Sequence, residues 1–169
     1  VPIHDMQGRV VAFGGRSLDG QEPKYLNSPE SEIFEKGKML FAFEKASSDI
    51  RKRDKAIIVE GYFDVISLHS KGITNSVASL GTALNKYQIS QLCRCTDNKN
   101  IILNFDSDNA GILATKRVIK EVETLSLHDQ INLKILQLSH FKDPDEYLNS
   151  HTPEDYFNLI DNSSFWIDW

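Results

Sequence analysis

Ile101-Ile102-Leu103-Asn104-Phe105-Asp106-Ser107-Asp108-Asn109-Ala110-Gly111 runs from a short apolar segment straight into an acidic loop. The same order occurs twice more. Ala56-Ile57-Ile58-Val59 leads into Glu60-Gly61-Tyr62-Phe63-Asp64, and Leu133 to Leu138 leads, a few residues on, into Lys142-Asp143-Pro144-Asp145-Glu146. Apolar runs this short, bounded by turn residues, read as buried strands. Helix-like segments lie between them, as in a parallel sheet. In an open parallel sheet the C-terminal strand ends share one edge, where ligands bind. Carboxylates far apart in sequence therefore converge, and so many of them cannot sit together cheaply without a cation. The pattern points to a hard-metal site.

Outward from that loop, strand 100–105 feeds a helix over 110–126, whose Gly111, Ala114, Val118, Val122 and Leu125 recur at spacings of three and four. Upstream, strand 56–60 precedes helix 62–71, closed by Gly72, and strand 75–79 precedes helix 86–95, where Asn85 and Gln88 make a capping box. Downstream, strand 131–138 alternates at Ile131, Leu133 and Ile135, an edge-like pattern. The βαβαβαβ series predicts an α/β fold with a compact four-stranded parallel sheet flanked by helices and joined by right-handed crossovers. Short helices are expected over 143–149 and 153–160, the second with Thr152 as N-cap and Pro153 as first residue. Near the start, Pro2-Ile3-His4 and Arg9 to Phe13 form a hairpin around Met6-Gln7-Gly8, and Gly14-Gly15-Arg16 breaks the second strand. Lys24 to Pro29 reads as an extended piece ending in a turn. Met39, Phe43, Ala46 and Ile50 predict an amphipathic helix over 39–51.

The chain has 169 residues and a net charge of −5. Ten Lys or Arg face nine Asp or Glu in residues 1–55, and nine face fifteen in residues 56–169, giving +1 and −6. Nucleic-acid binding therefore needs a local patch, not a basic protein. No apolar run is long enough to cross a membrane, and no signal peptide is seen. Cys93 and Cys95 are too few for a disulfide framework or a four-ligand zinc site, and read as reduced thiols of a cytosolic protein. The chain opens on Val1-Pro2-Ile3 and closes on Phe165-Trp166-Ile167-Asp168-Trp169, so both ends are expected to be cut from a longer protein.

Asp106 and Asp108 lie two apart on extended backbone and point the same way, so both can reach one cation or two adjacent ones. A calcium loop of the EF-hand type fails, because its fifth position is Ala110 and its twelfth Arg117. Glu60 is a charge placed straight after four apolar residues, and Asp64 lies one helical turn on. Arg9, Arg16, Lys24, Lys36 and Lys38 are spread among glycines and Tyr25, a composition suited to phosphates and stacked bases. The run Arg51-Lys52-Arg53 reads as a solvated helix end.

Glu60-Gly61-Tyr62-Phe63-Asp64, Asp106-x-Asp108-x-Ala110-Gly111 and Lys142-Asp143-Pro144-Asp145 resemble the three signatures of the Toprim fold. That fold is shared by bacterial primases, type IA and type II topoisomerases and some nucleases. Gly14-Gly15-Arg16, Pro23-Lys24-Tyr25-Leu26-Asn27-Ser28-Pro29, Lys36-Gly37 and Val77-Ala78-Ser79-Leu80-Gly81-Thr82 are similar to the RNA-polymerase domain of DnaG-type bacterial primases, in collinear order along essentially the whole chain. One departure is Ser107, where many members have glycine.

The resemblance implies a partial N-terminal mixed α/β subdomain over 1–54 with a basic nucleic-acid patch. A Toprim domain over 55–140 follows, then an acidic segment over 141–169 that begins a helical subdomain. It implies Glu60, Asp106 and Asp108 as catalytic metal ligands, with Asp64, Asp143 and Asp145 completing the acidic site. Arg16, Lys24 and Lys36 match basic positions beside it; Arg9, Tyr25, Asn27, Lys38 and Tyr62 complete the expected nucleotide- and nucleic-acid-binding set. Two Mg²⁺ or Mn²⁺ ions are implied, and no zinc in this segment. The implied activity is synthesis of RNA primers from ribonucleoside triphosphates on a single-stranded DNA template. The implied partner is a replicative helicase reached through domains outside this chain, and the setting is the cytoplasmic nucleoid or an organelle. A topoisomerase or nuclease on the same fold, or an inactive Toprim binding module, are the alternatives.

Overall fold

The computed structural model describes residues 1–17, 25–125, 130–138 and 140–169. At its centre lie β4 (Ala56–Val59), β5 (Ser76–Ala78), β6 (Asn100–Leu103) and β7 (Asn132–Ile135), all parallel, in the order β5-β4-β6-β7. Side chains along β4 alternate between two cores: Ile57 and Val59 join one hydrophobic cluster, Ala56 and Ile58 the other. Every residue of β4 is buried, which is why the strand reads as an unbroken apolar run.

Between the strands come α2 (Tyr62–Ser70), α3 (Lys86–Cys93) and α4 (Asn109–Glu123), with α1 (Phe43–Arg53) preceding β4. Val65 and Leu68 of α2, Tyr147 and Leu148 of α5 (Pro144–Leu148), and Tyr156 and Ile160 of α6 (Pro153–Asp161) cover one face of the sheet. Ile50 of α1, Leu92 of α3, and Val118 and Val122 of α4 cover the other. Gly72 follows α2 at φ +83°. The expected capping box is present: Asn85 accepts from Tyr87 and Gln88, and Gln88 Oε1 accepts from the Asn85 N–H at 3.1 Å.

Several expectations are corrected. The sheet has a fifth strand, β8 (Ser164–Phe165), which pairs antiparallel with β7, so β7 is not the edge. The second strand of the hairpin does not break at the glycines. β2 (Val10–Arg16) pairs antiparallel with β1 (Pro2–His4) on one side and β3 (Tyr25–Asn27) on the other, and β3 gives Gly14-Gly15-Arg16 a ladder. The first long helix begins at Phe43, after Ala42 in the left-handed region, so Met39 lies before it. Helix 110–126 buries Thr115 rather than Ala114, and its Ser126 end falls outside the described residues, as does Lys24. α6 starts as expected, with Thr152 Oγ1 accepting from Asp155 N–H at 3.2 Å. Tyr156 is wholly buried, and its hydroxyl donates to Asn104 Oδ1 at 2.7 Å.

Candidate functional site

Glu60 is the residue after β4, and its Oε1 accepts the backbone N–H of Asp106 at 3.2 Å. This bond ties the first acidic cluster to the second. Asp108 is the N-cap of α4 and accepts from Gly111 N–H at 2.9 Å. Asp143 is the N-cap of α5 and accepts from Glu146 N–H at 2.9 Å. Asp64 accepts from Gly61 N–H at 3.0 Å at the start of α2, and Asp145 accepts from the Ser67 hydroxyl at 2.6 Å. Asp64, Asp108 and Asp143 are thus fixed by the helix start that carries each, and Glu60 and Asp145 by donors from other elements. All six line one cavity of about 810 Å³.

Gly111 makes the convergence sterically feasible. A Cβ there would lie 2.0 Å from the Asp106 carbonyl oxygen and 2.8 Å from Glu60 Oε1. Ser107, the departure from the family pattern, ties the second cluster to the third. Its N–H donates to Lys142 O at 3.2 Å and its hydroxyl lies 3.2 Å from Phe141 O.

The cluster is electrostatically unfavourable on its own. Burial, then the charge of Asp106, pushes the Glu60 carboxyl up to about 7. Burial, with Asp106, Asp143 and Asp145 adding charge, raises Asp64 to about 6 against the pull of the Gly61 N–H. Burial raises Asp106, opposed by the Lys142 ammonium 3.7 Å away and reinforced by Asp143 and Asp108. Among the described residues no group of three His, Cys, Asp or Glu side chains is drawn together tightly enough to hold a metal ion. The donor set is nonetheless all carboxylate oxygen, and Glu60, Asp64 and Asp106 bind protons more tightly than usual. That chemistry fits a hard divalent cation.

The same cavity is also lined by Arg16, Tyr25, Asn27 and Tyr62. Tyr62 donates its hydroxyl to Gly15 O at 3.0 Å, pinning α2 to β2. Asn27 donates from Nδ2 to Leu80 O at 3.0 Å, while its Oδ1 is buried with no donor among the described residues. Gly14 permits this packing, since a Cβ there would stand 2.9 Å from Asn27 Oδ1 and 3.2 Å from the Tyr62 ring.

Other expected residues lie elsewhere. Arg9 is bound at 2.6 Å to Asp5 on the hairpin, and Lys38 at 2.7 Å to Glu35 beside a separate pocket of about 250 Å³. Lys36 begins a 3₁₀ turn and does not line the acidic cavity. Phe63, Ser67 and Lys142 line the cavity and were not singled out as site residues in the sequence. Lys142 stood in plain view before Asp143; Phe63 was hidden as one more apolar residue. Cys93 is buried, which pushes its thiol up to about 11, so it is poorly suited to act as a nucleophile. Among the described residues no helix is long and apolar enough to cross a membrane.

The Toprim-like family model matches residues 57–148, and that of the DNA primase catalytic core, N-terminal domain, matches residues 1–47. A DNA primase of Synechococcus elongatus is 55% identical over 169 residues, all of this chain and 24% of the relative. The chain thus spans about a quarter of that relative's length. A solved DNA primase domain from Pseudomonas aeruginosa superposes with a TM-score of 0.89 at 38% identity, over 97% of this chain and 50% of the other. A DnaG primase catalytic domain bound to ssDNA superposes with a TM-score of 0.84 at 36% identity, over 97% of this chain and 52% of the other.

Proposed function

The chain belongs to the Toprim-like family, and from that premise we propose that it is the catalytic core segment of a DNA primase, joining ribonucleotides into a short RNA primer on single-stranded DNA. The carrying observation is one cavity lined by six carboxylates together with Arg16, Tyr25, Asn27 and Tyr62. The likeness to primases along the whole chain supports the same reading.

In this proposal Glu60, Asp106 and Asp108 hold the principal cation, and Asp64, Asp143 and Asp145 complete the acidic wall. Two Mg²⁺ or Mn²⁺ ions bound there would acidify the attacking primer hydroxyl and offset the charge of the triphosphate. The remaining work belongs to the chain. Glu60 is oriented by the Asp106 N–H, so its second oxygen is set relative to the Asp106-Asp108 loop. Arg16 offers a guanidinium to phosphate, and Asn27 lines the same cavity. Lys24 and Lys36 are assigned to nucleotide phosphates or template by the family resemblance. Residues 1–54 act as the template-side subdomain, 55–140 as the catalytic domain and 141–169 as its acidic closure. The solved relative bound to ssDNA supports single-stranded DNA as the template partner. A replicative helicase, reached through other parts of the protein, and a cytoplasmic, nucleoid-associated setting complete the proposal.

The test is incorporation of labelled ribonucleotides on a single-stranded template by the full-length protein. Glu60→Gln, Asp106→Asn and Asp108→Asn should each abolish it. Strand passage or cleavage of DNA without primer synthesis would replace this reading with another Toprim activity.

A further inference from the structure

Arg16 ends β2, directly opposite Tyr25 in the β2–β3 register. Its guanidinium carbon lies 5.6 Å from the Tyr25 ring centroid and 5.8 Å from that of Phe63, within reach of a cation–π contact on each. The rings come from different parts of the fold, β3 and the first turn of α2. Both rest on Tyr62. Tyr25 meets it edge-on at 5.9 Å and 88°, and Phe63 at 5.4 Å and 45°. Tyr62 is itself fixed by its hydroxyl bond to Gly15 O. Phe63 is 41% exposed, so its ring fills no core. An apolar ring left at the mouth of an acidic cavity, beside a guanidinium, calls for a reason other than burial.

We propose that Phe63 is a positioning residue which, with Tyr25, clamps the Arg16 guanidinium at the cavity mouth so that it meets the phosphates of an incoming ribonucleotide. This rests on the phosphate-binding reading of Arg16 given above. An unrestrained arginine must be ordered when it binds, whereas rings on either side order it in advance. Phe63 touches no phosphate itself. Its effect runs through Arg16, and it should alter ground-state and transition-state binding alike, leaving turnover unchanged.

The experiment measures, in the full-length protein with Mg²⁺, the affinity for a fluorescently labelled ribonucleoside triphosphate and the steady-state kinetics of priming. Arg16→Ala should weaken affinity about tenfold, as loss of a charge-assisted phosphate contact does. Phe63→Ala should weaken it about threefold, the scale of one exposed cation–π contact, and raise KM with kcat unchanged. Phe63→Leu keeps an apolar side chain without a π-face and should behave like Phe63→Ala, while Phe63→Tyr should restore wild-type affinity. On the Arg16→Ala background, Phe63→Ala should cost nothing further. If Arg16→Ala leaves affinity unchanged, the phosphate reading fails and takes the clamp with it. If Arg16→Ala weakens binding while Phe63→Ala does not, or acts as strongly without Arg16, the clamp alone is overturned.

Discussion

Glu60 follows four buried residues and is held near Asp106, Asp108 and Asp64, so its ionised form destabilises the cation-free fold. Its folded pKa, about 7, lies above the ordinary 4.5, so between these values the folded state binds more protons than the unfolded. Stability from this group therefore rises as pH falls from about 7 toward 4.5, and is lower above 7. Glu60→Gln keeps the oxygen that accepts the Asp106 N–H and removes the charge. Because the site is only half-buried, solvent screening limits the gain to about 1 kcal/mol at neutral pH. Thermal melts in EDTA at pH 5 and pH 7.5 check this. The wild type should melt higher at the lower pH, and Glu60→Gln should narrow that difference. A variant that melts lower at pH 7.5 would show that Glu60 holds the fold together as a charge.

At the scale of elements, the site depends on how closely the Asp106–Asp108 loop can fold onto the start of α4. Gly111→Ala places a carbon 2.0 Å from backbone that has no flexible end to move. It should destabilise by about 3 kcal/mol, the upper range for overpacking, and lower the urea midpoint with an unchanged slope. Ser107→Ala removes only a hydroxyl tether on an exposed loop and should cost about 0.5–1 kcal/mol. A Gly111→Ala variant no less stable than Ser107→Ala would mean that the loop yields freely. The parallel strands were legible in the sequence because burial on both faces forces unbroken apolar runs such as Ala56–Val59, and topology then dictates where their acidic ends meet. β8 was not legible, since two exposed residues, Ser164 and Phe165, carry no period. Nor was the continuation of β2 through Gly14 and Gly15, which depends on a partner strand rather than on propensity. The basic residues divided for a local reason. Arg9 and Lys38 are engaged by Asp5 and Glu35, acids four and three residues upstream, while Arg16 reaches the cavity.

Across the whole molecule, charge would set the terms of the proposed nucleic-acid binding. Residues 56–169 carry −6, and the acidic wall lies in the same cavity as Arg16. An approaching phosphodiester chain therefore meets repulsion from the carboxylates as well as attraction from the basic wall. For most proteins that bind nucleic acid, added Mg²⁺ weakens association, because the cation competes for phosphates. Here the opposite sign is expected at low concentration. On the proposed reading, cations taken up by Glu60, Asp106 and Asp108 would cancel the repulsion where the strand would lie. At constant ionic strength, raising Mg²⁺ from zero to a few millimolar should therefore tighten binding of a fluorescent single-stranded oligonucleotide, by about threefold or more if one to two charges are neutralised near the strand. The increase should vanish in Asp106→Asn/Asp108→Asn, whose cation-free affinity should already exceed that of the wild type. Anisotropy titrations with and without Mg²⁺ decide the matter. A monotonic loss of affinity with Mg²⁺ in the wild type would mean that the strand avoids the acidic cavity and that competition at the phosphates governs binding instead.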